Sequence, residues 1–326
     1  MKAIQFETFG DADVLRIAET PDPELRSTDL LVQVGAAGVN RADLTLRRGG
    51  YGRPDFGDSS VMGLEIAGVV LAVGSETKGF APGDRVMGVV GGGAYAQVAR
   101  IDYRMAMKVP DELNILEAAA IPEVFVTAHE ALIHLGQAQA GDIVLVHAAA
   151  GGVGSAVVQL AHATGATVIA TTTASKLAGV KGLGADHVVD YEAEDFAEAV
   201  AKITNGRGVD VVVDFVGGPY FERNVNSLTY GGRLVQVGLL GGAEASIPLE
   251  TLLYRHLRII GTVMKSRSQE VKHAMTARFH QHWLPKFESG QLKPVIDSIY
   301  PLAQASDAHL RMEGGDGFGK IILQVI

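Results

Sequence analysis

Gly141-Asp142-Ile143-Val144-Leu145-Val146-His147-Ala148-Ala149-Ala150-Gly151-Gly152-Val153-Gly154-Ser155 decides how the rest of the chain is read. Ile143 to Val146 is a short, wholly apolar run after a Gly-Asp turn, the pattern of a parallel strand buried on both faces. From Val153 the period changes. Val153, Val157, Leu160, Ala161 and Thr164 fall three or four apart, and Gly165 stands where a helix C-cap belongs. A second apolar run, Ala166 to Thr171, completes a strand–turn–helix–strand unit with the glycines at its first junction.

Ala149-x-Gly151-x-x-Gly154 is a dinucleotide fingerprint whose first glycine is replaced by alanine. Gly151 is expected to let the backbone approach a pyrophosphate and Gly154 to let helix and strand pack closely. N–H groups from Ala150, Gly151, Gly152, Val153 and Gly154 would hold the phosphate charge. The bland alternative is an ordinary strand–helix turn, but the strand and helix that the motif requires are both in place. An NAD site usually carries an acidic residue about 20 positions further on, for the ribose 2′-hydroxyl. No Asp or Glu occurs from Ser155 to Ala185. Thr171-Thr172-Thr173-Ala174-Ser175-Lys176 stands there instead, hydroxyls followed by a cation, which suits a 2′-phosphate. NADPH is therefore the expected cofactor, with Thr172, Thr173, Ser175 and Lys176 at its adenosine end. The alternative for this segment is a polar loop with a helix N-cap at Ser175.

With 326 residues the chain is long enough for two domains, and 47% of it is apolar. No uninterrupted apolar run approaches the roughly 20 residues that span a bilayer, so no membrane partner is expected. Met1 to Phe6 leads directly into an alternating strand without a cleavable signal, and a cytoplasmic location is the expectation. The absence of cysteine excludes disulfides, thiolate nucleophiles and cysteine-ligated zinc. A net charge of −9 without a basic run argues against a nucleic-acid partner. His280 and His282, two apart in a helical segment, point in different directions and do not share a metal.

Residues 1–122 read as short strands separated by glycine and proline turns: Met1 to Phe6, Leu30 to Ala36, Gly68 to Val73, Arg85 to Val90 and Ala94 to Ala99. They predict a compact, mostly antiparallel β domain. Residues 123–267 alternate helix and strand as in a doubly wound parallel sheet, with a helix at Val126 to Leu135 and later strands at His187, Val209, Arg233 and Leu257. Ligands sit beyond the carboxyl ends of such strands. That rule makes Tyr191, Phe215, Val216, Gly238, Leu240 and Met264 cofactor-facing. Residues 268–326 begin with a helix from Ser268 to about Glu288 and end in strands at Val295 to Tyr300 and Lys320 to Val325, with a helix between.

Ala36-Ala37-Gly38-Val39-Asn40-Arg41-Ala42-Asp43, Arg47-Arg48-Gly49-Gly50-Tyr51 and Gly63-Leu64-Glu65-Ile66-Ala67-Gly68 join the glycine turn, Asp214-Phe215-Val216-Gly217-Gly218 and Phe318-Gly319-Lys320 in one pattern. Together they resemble the medium-chain dehydrogenase/reductase superfamily. The likeness is to its zinc-independent quinone oxidoreductases, and most of all to the tumour-suppressor-inducible quinone oxidoreductase subgroup. It implies an α/β protein with a GroES-like, mostly β catalytic domain and a Rossmann doubly wound nucleotide-binding domain, residues 268–326 completing the first. Zinc-dependent members carry cysteine at the position of Asn40 and histidine at that of Leu64, so no metal is expected. Polarising a carbonyl by hydrogen bonds alone suits activated acceptors, a quinone or a conjugated enone.

The resemblance further implies that Asn40 and Thr127 lie near the nicotinamide, that Tyr51 covers the acceptor pocket and that Phe318 and Lys320 return to the cofactor. It also implies a homodimer through the edge strand Arg258 to Val263. Plainer readings stand beside these. Asn40 is also a natural N-cap for a helix starting at Arg41, and Tyr51 reads equally as a loop aromatic covering the core. Asp43 is expected to order its loop through an ion pair, Arg47 and Arg48 to be solvated, and His147 to fill space under the turn. The function that follows is NADPH-dependent reduction of a quinone. An alkenal or enoyl-thioester reductase is the nearest rival, and a non-catalytic NADPH-binding redox sensor is the reading of another class.

Overall fold

A computed structural model describes residues 1–50, 59 and 61–326, so Tyr51 lies outside the described residues. The chain forms two compact units, Met1–Val126 with Ser268–Ile326, and Thr127–Arg267.

The first unit holds β1 (Lys2–Gln5), β2 (Arg16–Glu19), β3 (Asp29–Val39), β4 (Glu65–Val73), β5 (Arg85–Val89), β6 (Val98–Asp102) and β7 (Ala106–Lys108). The second holds β8 (Ile143–Val146), β9 (Thr167–Thr172), β10 (His187–Asp190), β11 (Val209–Asp214), β12 (Leu228–Gln236) and β13 (Arg258–Gly261). The chain then returns to the first unit with β14 (Ile296–Pro301) and β15 (Lys320–Gln324).

In the first unit the strands run β14-β15-β3-β4-β5-β7, with β6 also on β3. Their pairing is antiparallel apart from β14 with β15. Those two are parallel because helix Ala305–Gly314 carries the chain between them. β3 is the spine: Leu30, Val32 and Val34 enter a core shared with Ile66, Val86, Ile101 and Leu323. Its far end, Ala36 to Val39, is paired with both β4 and β15.

Two short strands escape the sequence pattern. β2 is mostly exposed and β7 has only three residues, so neither carries a clear alternation. The strand expected at Ala94 to Ala99 lies later, at β6. Its first half instead bonds singly to other segments, Ile4 N–H to Tyr95 O at 2.8 Å and Tyr95 N–H to Met62 O at 2.8 Å. The long helix expected after Ser268 spans Gln269–Trp283, and a separate turn follows at Pro285, which has no N–H to continue the ladder. The helix expected at Val126 starts at Pro122, a residue suited to a first turn, and changes to a π-helix over Glu130–Leu135.

The second unit is a six-stranded parallel sheet in the order β10-β9-β8-β11-β12-β13. This is the doubly wound arrangement, whose order reverses beside β8. Central β11, Val-Asp-Val-Val-Val-Asp, is buried at every position, whereas β13 at the edge is exposed at both ends and half-buried between. An interior parallel strand is covered on both faces, and this is why its sequence does not alternate. No helix among the described residues is long and apolar enough to cross a membrane.

Candidate functional site

The glycine turn after β8 is built as its motif requires. Helix Gly152–Thr164 begins after Gly151, and its first intrahelical bond runs from Ser155 N–H to Gly151 O at 2.8 Å. The N–H groups of residues 152–154 therefore precede the ladder, and no side chain caps them. A Cβ on Gly154 would lie 2.8 Å from Ala149 Cα, so only glycine lets the helix start this close to the turn. Ala148 takes a positive φ of 47° and Ala149 N–H reaches across to Thr171 O at 3.1 Å. The alanine in the first motif position is thus accommodated, with the left-handed residue one place earlier. An uncapped helix start with a bare backbone is the chemistry that holds a pyrophosphate, and the residues fit a dinucleotide.

Other segments expected to face the cofactor also lie in the second unit. At the end of β9, Thr172 is buried, Thr173 and Lys176 are half-buried and Ser175 is exposed, with no acidic residue between Thr171 and Lys176. Tyr191 follows β10 and is exposed. After β11 and β12, Leu240 N–H bonds Phe215 O at 2.9 Å and Gly241 N–H bonds Val216 O at 2.8 Å, which binds the two loops together. Gly238 is half-buried, Leu240 is exposed and Met264, after β13, is buried. Thr127 opens the second unit on helix Pro122–His129 and is half-buried.

The first unit brings together Asn40, Asp43, Glu65 and Lys320. Register decides this, because Ile321 pairs with Val39 and Ile66 with Ala37, which sets Lys320 and Glu65 beside the end of β3. Lys320 Nζ donates to Val39 O at 2.9 Å, to Asn40 Oδ1 at 2.6 Å and to Glu65 Oε1. Asn40 Nδ2 donates to Glu65 Oε1 at 2.9 Å and to Gly38 O at 3.3 Å. Glu65 Oε2 accepts Glu123 N–H at 2.8 Å. Gly38 makes room, since a Cβ there would lie 2.6 Å from Glu65 Cδ.

This inventory bears on the roles expected of Lys320 and Asn40. Lys320, 3% exposed, spends its three hydrogens inside the first unit, which leaves its ammonium none for the cofactor. Asn40 commits both amide hydrogens to Glu65 and Gly38 and its carbonyl to Lys320. Phe318, beside them in sequence, is anchored through its N–H to Asp297 Oδ1 at 2.9 Å.

Asp43 leads into a second chain. Its Oδ2 accepts Asn40 N–H at 2.9 Å and the Tyr95 hydroxyl at 3.0 Å. Hydrogen bonds, not a contact ion pair, order this loop, and helix Arg41–Arg47 starts directly after Asn40. Tyr95 meets His309 Nε2 at 3.2 Å, and His309 Nδ1 meets Arg47 Nη1 at 3.3 Å. Arginine only donates, so Nδ1 accepts and the imidazole proton sits on Nε2, facing Tyr95. Arg47 is fully buried and paired with Glu313, not solvated, while half-exposed Arg48 reaches the same carboxylate at 2.9 Å. Burial raises the Asp43 pKa to about 6 and the Tyr95 hydroxyl well above its ordinary value. Burial and the Arg47 charge lower His309 to about 3, so it is neutral. Nothing in the sequence around Tyr95 or His309 marks them, because the two lie 214 positions apart.

The donor set does not fit zinc. Cysteine is absent, Asn40 and Glu65 are spent on Lys320, and no group of three metal-ligating side chains comes together among the described residues.

A GroES-like β unit and a doubly wound unit with an uncapped glycine turn, carried in one chain, define the class as a nucleotide-dependent dehydrogenase or reductase. Residues 26–111 match the alcohol dehydrogenase GroES-like domain family and residues 152–280 the zinc-binding dehydrogenase family. Human quinone oxidoreductase is 32% identical over 328 residues, covering 99% of this chain and 97% of that protein. Among solved structures, the Escherichia coli quinone oxidoreductase complexed with NADPH is 30% identical with a TM-score of 0.91 and full coverage of both chains. An NAD-dependent alcohol dehydrogenase is 34% identical, also with a TM-score of 0.91 and full coverage of both. The chain belongs to the medium-chain dehydrogenase/reductase superfamily, and its ligand positions fit the zinc-independent subgroup.

Proposed function

We propose that this protein uses NADPH to reduce a quinone without a metal. NADPH, when bound, supplies a hydride. The observation that carries the cofactor choice is the rim after β9, where Thr173, Ser175 and Lys176 stand in place of an acidic residue near the uncapped helix start at Gly152. A carboxylate there would repel a 2′-phosphate, whereas hydroxyls and an ammonium attract it. Full-length similarity to quinone oxidoreductases supports the acceptor.

Within this reading Asn40 and Lys320 are positioning residues. A buried lysine–glutamate pair holds the end of β3 and the start of helix Arg41–Arg47 in place. Tyr51 is the residue we assign to the acceptor oxygen, where a phenolic O–H would stabilise developing negative charge. We further propose a homodimer through β13, whose outer edge pairs with no other strand among the described residues and near which in sequence Leu249, Leu253 and Val263 expose their side chains.

The test is steady-state oxidation of NADPH and NADH against a panel of quinones and conjugated enones. Quinone turnover with NADPH preferred is the expected result. Faster turnover of enones would replace the quinone with a conjugated double bond, and tight NADPH binding without acceptor-dependent turnover would leave the sensor.

A further inference from the structure

The carboxyl ends of β9, β8 and β11, three neighbours in the sheet, are joined by one buried hydrogen-bond chain. Asp214, fully buried at the end of β11, accepts Val216 N–H on Oδ1 at 2.7 Å and Gly217 N–H on Oδ2 at 3.0 Å, so it shapes the turn that follows. Asn224 Nδ2 donates to the same Oδ2 at 3.1 Å. Asn224 Oδ1 must then accept, and its partner His147 Nε2, at 2.7 Å, carries the proton. His147 Nδ1 is left to accept the Thr171 hydroxyl at 2.9 Å.

Every donor points the same way, from Thr171 through His147 and Asn224 to Asp214. The Phe196 and Tyr220 rings stand edge-on to the imidazole at 4.6 and 4.9 Å and fix its plane. Burial lowers the His147 pKa, which keeps the imidazole in the neutral form that the chain needs. A residue that only filled space under the turn would need neither ring nitrogen.

We propose that His147 and Asn224 form a strut coupling the two cofactor-facing loops of the second unit, which makes His147 a positioning residue for the nicotinamide half of the cofactor. The inference rests on the NADPH reading above. Thr171 directly precedes the rim at Thr172 to Lys176, which the adenosine end would use. Asp214 directly precedes Phe215 and Val216, and through them the strut also steadies the loop at Leu240 and Gly241. When the strut is removed, the rim keeps its own backbone bonds, but the 215–217 turn loses the amide that orients its carboxylate.

The experiment is calorimetric titration of wild-type protein and His147→Phe with NADPH and with 2′,5′-ADP, which carries only the phosphorylated adenosine half. Phenylalanine keeps the ring packing and removes both hydrogen bonds. Expected is about a tenfold weaker NADPH affinity with 2′,5′-ADP changed less than twofold, because Asn224, which orients the Asp214 carboxylate of the 215–217 turn, loses its buried donor, whereas Thr171 loses its acceptor in a segment that keeps its backbone bonds. His147→Gln, which can still donate to Asn224, should recover NADPH to within threefold of wild type. Equal losses for both ligands, or unchanged affinities with only a lower melting temperature, would overturn the strut. If His147→Phe does not fold, Thr171→Val removes one hydroxyl at nearly constant shape and should weaken NADPH at least threefold; no change would likewise overturn it. A wild-type protein that binds NADH but not NADPH would refute the phosphate reading separately, and the strut is then judged by NADH against 5′-ADP.

Discussion

Asp43 makes the stability of the first unit depend on pH in a direction opposite to that of an ordinary paired carboxylate. Its side chain is fully buried, and Oδ2 carries both of its hydrogen bonds, from Asn40 N–H and Tyr95. Burial outweighs those bonds and the Lys320 charge, and raises the pKa from 3.8 to about 6. A carboxyl whose folded-state pKa lies above its unfolded value binds more protons when folded. It contributes stability that is fully present below the unfolded value and is lost as pH rises through the folded one. Between pH 5 and pH 7.5 the linkage relation gives a loss of about 1.4 kcal/mol from this one group. At roughly 2–4 °C per kcal/mol that is about 3–6 °C in melting temperature. Trp283, the chain's single tryptophan, is buried in the first unit, so its fluorescence reports that unit's unfolding. Urea midpoints should be measured by this signal for wild type and Asp43→Asn at several values from pH 5 to 7.5. Asparagine does not titrate, and its Oδ1 can accept both bonds. Relative to wild type the variant should gain about 1.4 kcal/mol across that range. Parallel curves for the two proteins would show that Asp43 is ionised throughout, and the argument from burial would fail.

Three further outcomes are expected. Lys176→Ala should weaken NADPH by roughly 10- to 150-fold, the loss of a charge-assisted hydrogen bond, and barely alter NADH; equal losses measured by calorimetry would contradict the phosphate assignment. Lys320→Met leaves the Glu65 carboxylate buried without its cation and should cost about 3–5 kcal/mol, read as a lower urea midpoint. Replacing Glu65 by Gln in that variant should recover part of the loss, and additive losses would deny the pairing. Thr262 N–H bonds Gln236 O on β12 at 3.0 Å, so by strand alternation the N–H of Gly261 faces outward. Gly261→Pro should therefore turn a dimer into a 34.3 kDa monomer in light scattering, while an unchanged mass would remove β13 from the interface.

Local sequence carried the second unit almost completely. Its strands are buried on both faces and its turns demand glycine, so Ile143 to Val146, His187 to Asp190 and the Gly151 to Gly165 helix could be placed from short stretches read alone. The same holds for the missing zinc ligands, since the absence of cysteine is a property of composition. The expectation that Arg47 is solvated failed for the opposite reason. Arginine on a helix next to another arginine looks like surface, and only the folding back of helix Ala305–Gly314 supplies the His309 and Glu313 that bury it.

What the amino-acid sequence determined by itself is the strands of the parallel sheet and the bare helix start suited to a phosphate, each from residue type within a continuous window, and the exclusion of cysteine-ligated zinc, from composition. What only the tertiary structure decided is how the polar side chains are spent. Lys320 with Glu65, Tyr95 with His309 and His147 with Asn224 and Thr171 are partners drawn from distant parts of the chain. A buried polar group must find a partner or bear the cost of losing water. Strand register, which no single window encodes, chooses which partner it finds.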